Sequence, residues 1–149
     1  MRGWSHTVKR GLKRLRAYNV VERMFRSERQ IRAAVVEAKA DRQHNDIDRQ
    51  RKSHISDPTA GKAIANMTPL KHVTLRDGYV VRDPETWLSL IDQVYSEISD
   101  NERKIVRLFY SGRSAISVSI ECHVYESTVY RIRSEARHMA AELACQYGL

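Results

Sequence analysis

Five hydrogen-bonding side chains near the C-terminus, Ser127, Thr128, Tyr130, Arg131 and Ser134, carry the clearest chemical signal in this sequence. On a helix they project from the first two turns, away from apolar residues at complementary positions. That is the arrangement in which a helix laid in a major groove meets base edges. Arg131 can pair in bidentate fashion with guanine, Tyr130 can pack on a thymine methyl or reach a phosphate, and Ser127 or Thr128 can donate to base or phosphate. Arg133 and Arg137 lie further round, and Arg113 and Ser114 open the preceding helix, so these four are expected to hold phosphates.

Other chemistry is poorly represented. The six histidines are scattered, no glycine loop is built to cradle phosphate, and no serine, cysteine or carboxylate sits in a catalytic motif. Cys122 and Cys145 form no CxxC pair and have no histidine at metal-ligand spacing on a common turn. Cys122 falls at an apolar position, where a thiol serves as a small hydrophobe. The expectation is a protein with no catalytic residue, no metal and no cofactor. No apolar run approaches the roughly 20 residues that span a bilayer, and the basic N-terminus lacks the apolar core of a signal peptide, so a soluble intracellular chain is expected.

The elements that must position the polar stripe can be read from periodicity. The last helix starts near Glu126 and is expected to bury Val129, Ile132, Ala136, Met139 and Leu143, in steps of three and four. A shorter helix, Ser114 to Cys122, offers Ile116, Val118, Ile120 and Cys122 for burial, and the turn between the two is His123-Val124-Tyr125. Before it, Ser99 or Asp100 caps a helix with Ile105, Val106, Leu108 and Phe109 on its apolar face, ending near Ser111-Gly112. Asp83-Pro84-Glu85 opens a further helix carrying Trp87, Leu88, Ile91, Val94, Tyr95 and Ile98. Asp57-Pro58 predicts a short helix closed by Pro69, and His72 to Val81, with Asp77-Gly78, predicts a β-hairpin.

Charge separates the two ends of the chain. Of 149 residues, 26 are Lys or Arg and 18 Asp or Glu, a formal charge of +8. Met1 to Lys52 holds 15 basic and 6 acidic residues against 11 and 12 in the remainder, which points to a phosphate-facing arm, an RNA-binding helix or a solvated helix face. Within it Ala17, Val21, Met24, Glu28, Ile31, Val35 and Ala38 step like a heptad seam interrupted by Glu28. The stripe is read as core packing or as a dimer seam. Arg23, Arg26, Arg29 and Arg32 recur every third residue beside it. The predicted fold class is therefore mainly α: a long N-terminal helix, a small β-hairpin near 72–81 and a C-terminal helix-turn-helix bundle. Three segments are expected: a basic helical arm (1–56), a connector of short helix and hairpin (57–83) and the helix-turn-helix domain (84–149).

Asn101 to Leu143, NERKIVRLFYSGRSAISVSIECHVYESTVYRIRSEARHMAAEL, resembles the C-terminal region of the RinA and ArpU-type phage transcriptional regulators, whose helix-turn-helix is itself similar to region 4 of bacterial sigma factors. The residues that carry it are Glu102-Arg103, Phe109-Tyr110, and His123-Val124 followed by Ser127 to Arg131; Asp77 to Asp92 fits more loosely. The resemblance implies DNA contacts at Glu126, Ser127, Thr128, Tyr130 and Arg131, with Val129 and Ile132 as buried anchors. His123 stands where the sigma-type motif carries glycine and Tyr125 where it carries a serine cap, which leaves Ser127 open as an alternative cap. The implied protein is a phage or prophage regulator that binds double-stranded promoter DNA in the bacterial cytoplasm and activates late genes. Host RNA polymerase and a second copy of the chain, joined through the N-terminal helix, are its further implied partners. A small-terminase-like packaging protein and an RNA-binding antiterminator are the competing readings.

Overall fold

A computed structural model describes residues 6–52 and 68–149, with side chains described over 16–45 and 68–149. The helix expected to begin at Asp57-Pro58 lies outside the described residues. Among the described residues the chain forms five helices, α1 (His6–Lys52), α2 (Pro84–Glu97), α3 (Asp100–Tyr110), α4 (Ala115–Cys122) and α5 (Glu126–Tyr147). One antiparallel hairpin, β1 (His72–Thr74) with β2 (Val80–Arg82), joins them. The mainly helical class, the long first helix and the hairpin are as the periodicity predicts. No described helix is long and apolar enough to cross a membrane.

Contacts divide the chain differently from the three expected segments. One unit comprises Met1–Ser27 and Ser89–Leu149, the other Glu28–Leu88. In the second unit the hairpin closes through Leu75 N–H to Tyr79 O (2.8 Å) and Gly78 N–H to Leu75 O (2.9 Å), with Gly78 at φ +82°. This is a three-residue loop whose left-handed last position suits glycine. Alternation buries Val73 and Val81 and exposes their neighbours. Glu85 accepts the Leu70 N–H at 2.9 Å and forms an ion pair with Lys39 of α1. Burial pushes its carboxyl up, but Lys39 and the Leu70 amide outweigh that and leave it below the ordinary range.

In the first unit α3, α4 and α5 form a three-helix cluster, and Val21, Met24 and Phe25 of α1 and Ile91, Val94 and Tyr95 of α2 are buried in the same unit. Ser99 accepts the Glu102 N–H (3.3 Å) while Glu102 accepts the Ser99 N–H (3.0 Å), a reciprocal capping box that fixes where α3 starts. The α1 stripe is spent within one chain, since Val21, Met24, Ile31 and Val35 are all buried. Core packing accounts for these four residues of the stripe.

Two expected burial patterns need correction. On α4, Ala115, Val118 and Cys122 are buried while Ile116 and Ile120 are 58% and 69% exposed. The expected set alternated every second residue, which is strand spacing; positions three and four apart share a helix face. On α5, Val129, Ile132 and Ala136 are buried as expected, but Met139 and Leu143 are only half-buried and Ala140, Ala141 and Ala144 take their place. Ala140 and Ala144 continue the helix row of Arg133 and Arg137. Val118→Ala is therefore expected to destabilise the protein by about 1–3 kcal/mol, whereas Ile120→Ala should stay within about 0.5 kcal/mol of the parent. Urea unfolding of the two variants measures the difference.

Candidate nucleic-acid interface

The turn between α4 and α5 is set by main-chain geometry. His123 ends α4 at φ +55°, and Val124 N–H reaches back to Ser119 O at 3.0 Å while His123 N–H meets Ile120 O at 3.4 Å. This closure ordinarily selects glycine at the left-handed position, and here a histidine occupies it. Tyr125 occupies the N-cap of α5 in extended conformation without a side-chain capping bond, and the helix begins at Glu126. Ser127 is thus inside the first turn, and the alternative in which it caps a later start does not occur. Ser114, by contrast, does cap: its hydroxyl accepts the Ser117 N–H at 3.2 Å and starts α4.

Placement of the expected DNA-contacting residues follows from that start. Glu126, Ser127, Tyr130, Arg131 and Ser134 are exposed and Thr128 is half-buried. Ser127, Tyr130, Arg131 and Ser134 stand at intervals of three and four and so share one face, with Val129, Ile132 and Ala136 buried behind them. The Tyr130 ring rests edge-on against Phe109 of α3 with centroids 6.3 Å apart, which steadies it without covering it. Arg131 donates from Nη1 to Glu135 at 2.9 Å, both side chains being more than half exposed. Such an exposed pair is worth about 0–1 kcal/mol, less than the roughly 1–3 kcal/mol of a bidentate guanine contact, so Glu135 does not prevent Arg131 from turning to a base.

The residues expected to hold phosphates divide. Arg113 is half exposed and pairs with Glu121, to which Lys104 also comes within 3.6 Å. Arg133 and Arg137 are partly buried. Both pair with Glu22 of α1, Arg137 at 3.4 Å, and the guanidinium of Arg133 lies 5.0 Å over the Phe109 ring while that of Arg137 lies 4.7 Å over Tyr18. Burial pulls the Arg133 guanidinium down, but its bond to Glu22 overrides that and holds it above its ordinary value. Burial likewise raises the Tyr110 phenol beside it. Tyr110 lies beside Arg133 in this cluster, and removing Glu22 would leave both guanidinium groups without their carboxylate. Arg133 and Arg137, expected as phosphate ligands, thus stand paired across to α1, and their charges join α5 to it.

Sequence reasoning missed Glu22 as the group that joins these helices. Its only sequence signal is an acid beside the arginines of α1, which does not reveal a partner more than a hundred residues away. Among the described residues no group of three or more His, Cys, Asp or Glu side chains could hold a metal ion. No family model, curated protein or solved structure matches this chain. The interface therefore rests on its own geometry.

Glu22→Gln should destabilise the protein by about 2 kcal/mol, because two partly buried guanidinium groups lose their counter-charge; the urea midpoint reads this directly. Glu102 gives a pH dependence of known sign. Its bonds to the Ser99 backbone and hydroxyl hold the carboxyl below its ordinary range. The capping contribution is thus fully present above that range and lost as pH falls through it. Glu102→Gln should lower the urea midpoint at neutral pH, and the gap to the parent should close in acid.

Proposed function

We propose that the protein is a sequence-specific DNA-binding transcriptional regulator that reads duplex DNA with the outer face of α5. The observation that carries this reading is the two-sided character of α5, with Ser127, Tyr130, Arg131 and Ser134 exposed together and Val129, Ile132 and Ala136 buried opposite. The short turn to α4 supports it, since it presents the first two turns of α5 outward as a groove-reading helix requires. The proposed division of labour gives base edges to Arg131 and Tyr130, and phosphates or bases to Ser127, Thr128 and Ser134. Glu126 accepts from a cytosine amino group. Arg113 and Ser114 contact the backbone at the start of α4.

The resemblance of Asn101 to Leu143 to RinA and ArpU-type regulators narrows the proposal to a phage or prophage activator of late promoters. It would work in the bacterial cytoplasm, with host RNA polymerase as a further partner. Selection of bound fragments from a phage or bacterial genomic library at about 150 mM salt, where loose phosphate binding is suppressed, tests it. Enrichment of one promoter-proximal site is the expected result; enrichment at a packaging locus, or none, would sink it. With that site in hand, Arg131→Ala should lower discrimination against a changed guanine position by about 1–3 kcal/mol, or about 5–150-fold, measured as the ratio of affinities for the two duplexes.

A further inference from the structure

The C-terminal part of the first unit has no excess of positive charge. Ser89 to Leu149 carries 7 basic and 8 acidic residues, and two of its arginines, Arg133 and Arg137, pair with Glu22. A duplex presents about one negative charge per 1.7 Å of axis, and most of the affinity for it comes from cations placed along the backbone. The α3–α4–α5 cluster alone supplies few. Glu22 occupies two arginines of α5 and in the same contact fixes an arginine-bearing helix against it.

The register of α1 on α5 indicates where those cations lie. Tyr18 donates to or accepts from His138 at 2.9 Å, and Glu22, one turn on, reaches back along α5 to Arg137 and Arg133. The two helices therefore run in opposite senses along this contact. The next residue in the series, Arg26, comes one further turn toward the part of α5 that bears Tyr130 and Arg131. Arg26, Arg23 and Arg16 are all exposed, with exposed Asn19 between them. At 100° per residue they fall within one side of the helix, about 80° wide, while Val21, Met24 and Phe25 are buried on the other.

We propose that Arg16, Arg23 and Arg26 of α1 form a second nucleic-acid contact surface, which binds the phosphodiester backbone of DNA flanking the bases read by α5. The proposal rests on the reading of α5 as the DNA-reading helix and gives α1 a task that the reading face cannot perform. The α5 face selects the sequence; the α1 face supplies charge neutralisation that is indifferent to sequence. Glu22 fixes the distance between them.

The test uses the full-length protein and a duplex of mixed sequence, with affinity measured from about 50 to 200 mM salt. Each lost phosphate contact should reduce the slope of log affinity against log salt by about 0.9. The triple variant Arg16→Gln, Arg23→Gln, Arg26→Gln should lose about 2–3 in slope and leave the sequence selected from a genomic library unchanged. Arg76→Gln with Arg82→Gln, exposed cations of the hairpin, control for net charge, and far-UV circular dichroism checks that α1 still folds. An unchanged slope in the triple variant, or an equal loss per charge in the hairpin control, would overturn the α1 surface. So would competition by hairpin RNA that exceeds competition by duplex DNA. If the parent protein binds duplex DNA with the expected salt dependence but selects no site, the reading of α5 fails while the α1 surface stands.

Discussion

One carboxylate, Glu22, holds two guanidinium groups that would otherwise repel each other across a single turn of α5. Neither arginine is a free surface ion: each is flanked by an aromatic ring, and Tyr110 closes the cluster from α3. Burying charge carries a desolvation cost that apolar residues would not incur, so this cluster is a poor source of net stability. Its value is geometric. Apolar side chains permit one helix to slide along another at little cost, whereas a carboxylate between two fixed donors has one arrangement that satisfies it. The register of α1 on α5 follows from that, as does the stacking of Phe25 on Tyr110 at 5.0 Å.

α5 must serve two masters along its length. Its first two turns carry hydroxyls, a phenol and a guanidinium outward over a core of Val129 and Ile132. Further along, the buried side chains shrink to Ala136, Ala140, Ala141 and Ala144, each too small to hold neighbouring backbones apart. The later half of the helix is thus packed by small side chains, and the start of the helix is set by the α4 turn.

Local signals in the sequence located most of the fold. Proline at the first position of α2, Asp77-Gly78 in the hairpin and the Gly112 break each act within a few residues, and each fell where pattern placed it; of the two caps open for α3, Ser99 is the one used. The exposed polar face of α5 was legible for the same reason, because burial of Val129 and Ile132 forces its neighbours outward. What was not legible was non-local: the pairing of Arg133 and Arg137 with Glu22, and the burial of Val21, Met24, Ile31 and Val35, depend on segments far apart in the chain. Ile116 and Ile120 failed differently: a run of alternating apolar and small polar residues, AISVSIEC, has strand spacing inside a helix, and only the Ser114 cap decides which period applies.

His123 leaves one more mark on the molecule. Its left-handed backbone is closed by two main-chain hydrogen bonds, and its imidazole is exposed and takes no part in holding the turn. The angle at which α5 leaves α4 is therefore encoded in the peptide backbone and not in the identity of the side chain. Residues at this corner can be exchanged over evolutionary time, at a conformational cost on the order of 1 kcal/mol, without re-aiming the helix that follows. A lineage could thus alter the chemistry at the start of α5 while inheriting its orientation unchanged.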